Sequence, residues 1–177
     1  MRHIFPLYIF LLSFSCNSQH KEVIPESAKD NLKIQVDQMV HALISKDYNT
    51  LLKFTYPKLI ENKGGPDKAM AEIIEAVESL KKQDIALDSI SIGQPTEFVK
   101  AGNEIHTIIP ETLFIQVPRG ILKSEGYLIG ITQNLGKTWH FIDGADVNTS
   151  NITTILPNYN PKLRLPEQND PILIKEY

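Results

Sequence analysis

The side chains best suited to chemistry are a few aromatic, imidazole and carboxyl groups scattered through the middle of the chain. Tyr48, Tyr56 and Tyr127 each combine an apolar ring with a hydroxyl, a pairing suited to the lining of a binding pocket. His106 and His140 lie in stretches of alternating hydrophobicity, where one strand face or the other would carry them toward such a pocket. Proton transfer through an enolate would need a carboxylate base and an acidic hydrogen-bond donor converging in an apolar cavity. Asp47 or Asp143 could supply the base and Tyr56 the donor, but Asp47 reads equally well as a helix N-cap and Asp143-Gly144 as a turn. These residue types form no committed catalytic motif. The five histidines show no metal-ligand spacing, and neither a Gly-x-Ser-x-Gly turn nor a phosphate-cradling glycine loop is present. The sequence therefore calls for no metal and no cofactor, and it assigns no catalytic residue.

The one residue whose spacing and chemistry agree is Cys16. A positive charge at Arg2 is followed by an apolar run over 4–14, which at ~1.5 Å per residue is too short to cross a ~30 Å hydrocarbon core. A charged start, a brief apolar run and small residues near a cleavage point are the layout of a signal peptide. Leu12-Ser13-Phe14-Ser15-Cys16 resembles a lipobox: Ser15 is the small residue before a thiol that can be thioether-linked to lipid, while Ser13 departs from the usual leucine. The expected product is an exported bacterial lipoprotein with signal peptide 1–15 and lipidated tether 16–26. A domain over 27–145 and an extended C-terminal tail over 146–177, packed on that domain, would follow.

Cys16 is also the only cysteine of the 177 residues, so the mature domain can have no internal disulfide and must depend on its core. Removing residues 1–15 takes away only Arg2 among the charged residues, moving the formal net charge from −3 to −4. That balance, with no basic cluster, argues against nucleic acid as a partner. The expected partners are a membrane, reached through the lipid on Cys16, and a small hydrophobic ligand or an envelope protein. The expected location is the cell envelope, at the outer membrane and facing the periplasm, because no acidic run follows Cys16.

Periodicity then places the elements. Leu32, Val36, Met39, Val40 and Leu43 share one helical face, predicting a helix over 28–44 with Ser27 as its N-cap and His41 on the solvent side. Leu51, Leu52 and Phe54 form a second helical piece that Pro57 ends, with a short turn at Leu59-Ile60. Pro66 opens a third helix running to about Lys82, with Met70, Ile73, Ile74, Val77 and Leu80 at three- and four-residue spacing. The period then switches to alternation. Strands are expected over 85–92, with a parity slip between Leu87 and Ile90, and over 98–100, 104–117, 121–132 and 138–143. Pro110 should mark an edge strand or a bulge. Helices followed by antiparallel strands give an α+β fold, with the helices on one face of a curved sheet. The last 30 residues hold four prolines and are expected as a surface tail with one short helix near 152–156.

Lys46-Asp47-Tyr48, Phe54-Thr55-Tyr56-Pro57-Lys58 and Gly64-Gly65 with Met70, followed by the strand run, resemble the NTF2-like (cystatin-like) superfamily. Within it they look most like small lipoproteins of Bacteroidetes-like bacteria. The resemblance covers about residues 28–145. It implies a cone in which a strongly bent sheet wraps a long helix and leaves a pocket at the open end. Members include isomerases, dehydratases, transport factors and binding modules, so the fold does not select an activity. The preferred expectation is a non-catalytic binding module. A small enzyme acting on a hydrophobic substrate and a structural part of an envelope complex are the alternatives.

Thr132-Gln133-Asn134-Leu135-Gly136-Lys137-Thr138-Trp139 is similar to the Asp-box of sialidase propellers, present here in a single copy. Its expected role is a structural hairpin: Asn134 bonds nearby backbone, Gly136 permits the turn and Trp139 plugs the hairpin into the core.

Overall fold

The computed structural model describes residues 24–177, so the signal peptide, Cys16 and most of the tether lie outside the described residues. The fold is α+β: four helices, then an antiparallel sheet whose last strand is added by the C-terminus. No helix among the described residues is long and apolar enough to cross a membrane.

Helix α1 (Glu26–Ile44) buries Leu32, Val36 and Met39 of the predicted stripe together with Ala28; Val40 and Leu43 are half-buried, and His41 is exposed on the far side. It starts earlier than expected. Pro25, not Ser27, occupies the cap position, and no side chain caps the helix; the Ala28 N–H bonds the Pro25 carbonyl at 2.9 Å instead. Asp47 caps α2 (Tyr48–Phe54), its Oδ1 accepting from the Thr50 N–H at 3.1 Å. Pro57 does more than stop that helix: it is the first residue of a further helix, α3 (Pro57–Asn62), where a turn is expected. Gly64 and Gly65, at φ of 89° and 104°, reverse the chain into α4 (Pro66–Lys82).

The strands are β1 (Ala86–Ile92), β2 (Phe98–Ala101), β3 (Glu104–Val117), β4 (Gly120–Thr132) and β5 (His140–Asp143). The parity slip is a register shift between Leu87 and Ser89 against β3. Pro110 contradicts its expected edge position, since β3 is paired on both sides. It lies where β2, opposite Glu104–Thr107, gives way to β1, opposite Glu111–Gln116. Its carbonyl accepts from the Gly93 N–H at 2.7 Å, so its own nitrogen, on the same side, faces the connection between the two strands, where no ladder bond is lost.

The sheet separates two apolar clusters, and the expectation of helices on one face only is incomplete. On one side α1 packs over Ile105, Ile109, Leu128, Trp139 and Phe141. On the other, Val99, Ile108, Ile129, Ile131 and Ile142 are covered by Tyr56 and Leu59 and by the C-terminal segment, which contributes Val147, Ile152, Ile155, Leu156 and Leu163. Part of that segment forms the short helix α5 (Ile152–Ile155). Its end is a strand with no counterpart in the sequence reading, β6 (Ile172–Glu176), which pairs antiparallel with the start of β4.

Candidate functional site

The hairpin between β4 and β5 fixes α1 on the sheet. Leu135 and Gly136 take positive φ, and the Gly136 N–H bonds Thr132 Oγ1 at 3.0 Å while Thr138 N–H bonds Asn134 Oδ1 at 2.9 Å. Trp139 is fully buried and its Nε1 donates to the Ala28 carbonyl of α1 at 3.1 Å. Asn31 and Gln35 of α1 reach back to the Gly136 and Lys137 carbonyls. A Cβ on Gly136 would stand 2.1 Å from that of Ala28, so glycine is required by the close helix approach as well as by its φ of 82°.

Beyond this anchored end, α1 and the sheet diverge. A cavity of about 540 Å³ opens between α1, α2, α4 and the face of the sheet that α1 covers. Its wall is mainly apolar: Met39, Val40 and Leu43 from α1, Leu51 and Leu52 from α2, Ile73 and Val77 from α4, and Leu113, Leu128 and Phe141 from the sheet. Of the predicted apolar stripe of α4, Ile73 and Val77 face this space and stay half-buried, whereas Ile74 and Leu80 are exposed.

Four carboxyl groups line the same cavity: Glu72, Glu111, Asp143 and Asp146. Lys63, which also lines it, is engaged by Glu72 at 2.9 Å. Asp143 Oδ1 accepts from the Ala145 N–H at 2.8 Å, so the aspartate makes the expected turn and also stands at the cavity. Desolvation, with help from Asp146, raises its carboxyl above the usual range. Glu111 is the deeper group, only 8% exposed, and no described residue hydrogen-bonds its carboxyl. It occupies the space that Gly126 leaves on the neighbouring strand, where a Cβ would lie 3.3 Å from Oε1. Desolvation, and then the charge of Asp143, push it up to about 7.

None of the five residues expected to line a pocket, Tyr48, Tyr56, His106, Tyr127 and His140, lines this cavity, although Tyr127 lines a smaller cleft that Glu111 also reaches. Tyr48 is half-buried in the first turn of α2. Tyr56 N–H bonds the Phe141 carbonyl at 3.0 Å, and its ring joins the cluster on the opposite face of the sheet. His106 and His140 flank Ile131 in register and share that face, as does Tyr127. Desolvation lowers the half-buried His140 imidazole and raises the Tyr127 phenol.

On that filled face a second carboxyl gathers a polar cluster that sequence reasoning missed. Glu104, 1% exposed, accepts from Gln133 at 2.7 Å and from the Tyr56 hydroxyl at 3.1 Å on Oε1, and contacts His106 Nε2 at 3.0 Å through Oε2. Desolvation raises the Glu104 carboxyl, but hydrogen bonds from Gln133, His106, Asn158 and Tyr56 outweigh it and hold the group below its ordinary range. A carboxylate only accepts, so Nε2 carries the His106 proton. Desolvation also keeps that imidazole neutral by lowering its pKa, against the pull of Glu104. The Tyr56 phenol is pushed up to about 12 by desolvation and by Glu104. The acid beside Tyr56 and a histidine is thus locked in a packed network, and the acid in the cavity has neither beside it.

No group of three or more His, Cys, Asp or Glu residues stands ready to hold a metal among the described residues. No family model, curated protein or solved structure matches the chain.

Proposed function

We propose that this chain is a lipid-anchored module of the bacterial cell envelope, an NTF2-like cone that binds a small, largely apolar ligand in its open end. The observation that carries the reading is the 540 Å³ cavity between the helices and the sheet, with an apolar wall and a few convergent polar groups, the usual constitution of a small-molecule site. The elevated carboxyl of Glu111 favours one rival, a proton-transfer enzyme. Catalysis through an enolate needs a donor facing that acid, and the hydroxyl on the cavity wall, Thr55, is already donated to the Leu51 carbonyl at 3.1 Å. Binding is the better match.

Hexan-1-ol is a suitable probe of the cavity in the full-length protein. Its addition is expected to shift the methyl resonances of Leu43, Val77 and Leu113, and Leu113→Trp, which fills the space, is expected to abolish those shifts. Methyl resonances indifferent at saturation to the alcohol and to its amine and carboxylate analogues, hexylamine and hexanoate, would overturn the binding reading. The anchor is tested separately: Cys16→Ser is expected to abolish lipid labelling and release the protein from membranes, and continued labelling would refute it.

A further inference from the structure

We infer that the ligand of the cavity is an amphiphile whose polar end is a protonated amine, seated on the carboxylate of Glu111. The inference rests on the small-ligand reading above and adds its head-group chemistry.

A buried polar group in a native protein is ordinarily paired, and one left unpaired calls for a partner supplied from elsewhere. Glu111 is more than nine-tenths buried as a residue, its carboxyl oxygens open onto the cavity beside Gly126 and are not sealed in the core, and it takes no hydrogen bond from a described residue. In its ionised form the carboxylate only accepts, so what completes it then must donate a hydrogen bond. A hydroxyl, a protonated acid and an ammonium all donate, and the surrounding charges choose among them. Asp143 and Asp146 face the cavity from β5 and the turn that follows it, and Glu72 from α4. Lys63, the cation on the wall, is already on Glu72. A smaller cleft of about 340 Å³ reaches Glu111 from the edge of β4 and adds Glu167, together with Glu125, which Lys123 pairs. The unpaired charges lining these two spaces, Asp143, Asp146 and Glu167, are all negative, and the nearby cations Lys63 and Lys123 are each taken up by a glutamate. That field attracts a cation and repels an anionic head group, while the leucines and valines beyond it suit an alkyl or aryl body.

The decisive experiment titrates the full-length protein with hexylamine, hexan-1-ol and hexanoate near pH 8, following the Leu113 and Val77 methyl resonances. Hexylamine is expected to bind about tenfold tighter than hexan-1-ol, and hexanoate more weakly than either. Glu111→Gln is expected to remove the advantage of the amine, with hexan-1-ol titrated into the same variant to report whether the cavity is intact. Lowering the pH of the unaltered protein to near 5.5, where Glu111 is protonated, is expected to weaken hexylamine by about tenfold without any mutation. Hexan-1-ol binding with no preference for the amine, or an amine affinity that survives both Glu111→Gln and acidification, would overturn the head-group inference alone. If none of the three compounds binds, the small-ligand reading falls with it.

Discussion

Glu104 and Glu111 leave the same strand on opposite faces of the sheet, and each is more than nine-tenths buried. Their surroundings differ in one respect. Glu104 sits where the C-terminal segment and Tyr56 close the face, and Gln133, His106 and Tyr56 turn donors toward it. Glu111 sits where α4 stands off from the sheet, and no described residue donates to it. One carboxyl is held below its ordinary range and the other raised to about 7. Burial charges both groups the same kind of desolvation cost, so partners alone decide whether the ionised form is kept. The filled face uses its acid to hold three segments together, while the hollow face leaves its acid unsatisfied, which is a property of a site rather than of a scaffold.

The largest effect should come from breaking the filled face. Glu104→Ala strands the Tyr56 hydroxyl, the Gln133 amide and the Nε2–H of His106, and is expected to cost about 4 kcal/mol of stability, read from the urea midpoint at constant slope. A loss below about 1 kcal/mol would mean that those donors find water, and the contrast between the two faces would disappear. Acid should weaken the same region. The folded pKa of Glu104 lies below its ordinary 4.5, so its contribution is present above that value and lost as pH falls through the folded one. His106 is depressed from 6.5 and is likewise stabilising in its neutral form, so its share declines as pH drops below 6.5.

How much of this was legible follows from what each element faces. α1 and α4 announce themselves because one face is apolar at a regular period, and β3 and β4 because long, largely apolar stretches lie between turn residues, and their bounds in the sequence lie close to those of the structure. β6 does not, because all five of its residues are exposed and nothing selects one face of Ile172-Leu173-Ile174 over the other. Pro110 misled because the sequence cannot display a strand whose partner changes along its length. The tyrosines and histidines stand out only by residue type, and the sheet carries His106, His140 and Tyr127 to the face covered by the C-terminal segment, whose packing no local pattern reveals. A signal for the two glutamates was present: they bound the stretch Ile105-His-Thr-Ile-Ile-Pro110 of a long central strand, at positions of opposite parity. An acid inside such a strand is either bonded or functional, and only the tertiary arrangement tells which.

A smaller effect, of opposite sign, should come from the hollow face. A carboxyl raised from 4.5 to about 7 keeps its proton in the folded state after the unfolded chain has lost it, so stability falls as pH rises across that interval and then levels off. At ~1.4 kcal/mol per unit, the cost carried above pH 7 is at most about 3.5 kcal/mol. Glu111→Gln removes the ionisation, fills the same space and is expected to raise stability near pH 8 by up to that amount, measured by urea unfolding across the pH range. The variant should also expose what the wild type partly conceals. Between pH 4.5 and 6.5 the rising contribution of neutral His106 opposes the falling one of Glu111, so removing Glu111 should leave a slope that climbs with pH. An unchanged profile in Glu111→Gln would show that water already satisfies the carboxylate, and the case for a donor brought by a ligand would fail with it. A steeper climb combined with lost stabilisation by hexylamine would assign both the stability cost and the ligand head group to one side chain, since a ligand that binds only the folded state stabilises it in proportion to occupancy.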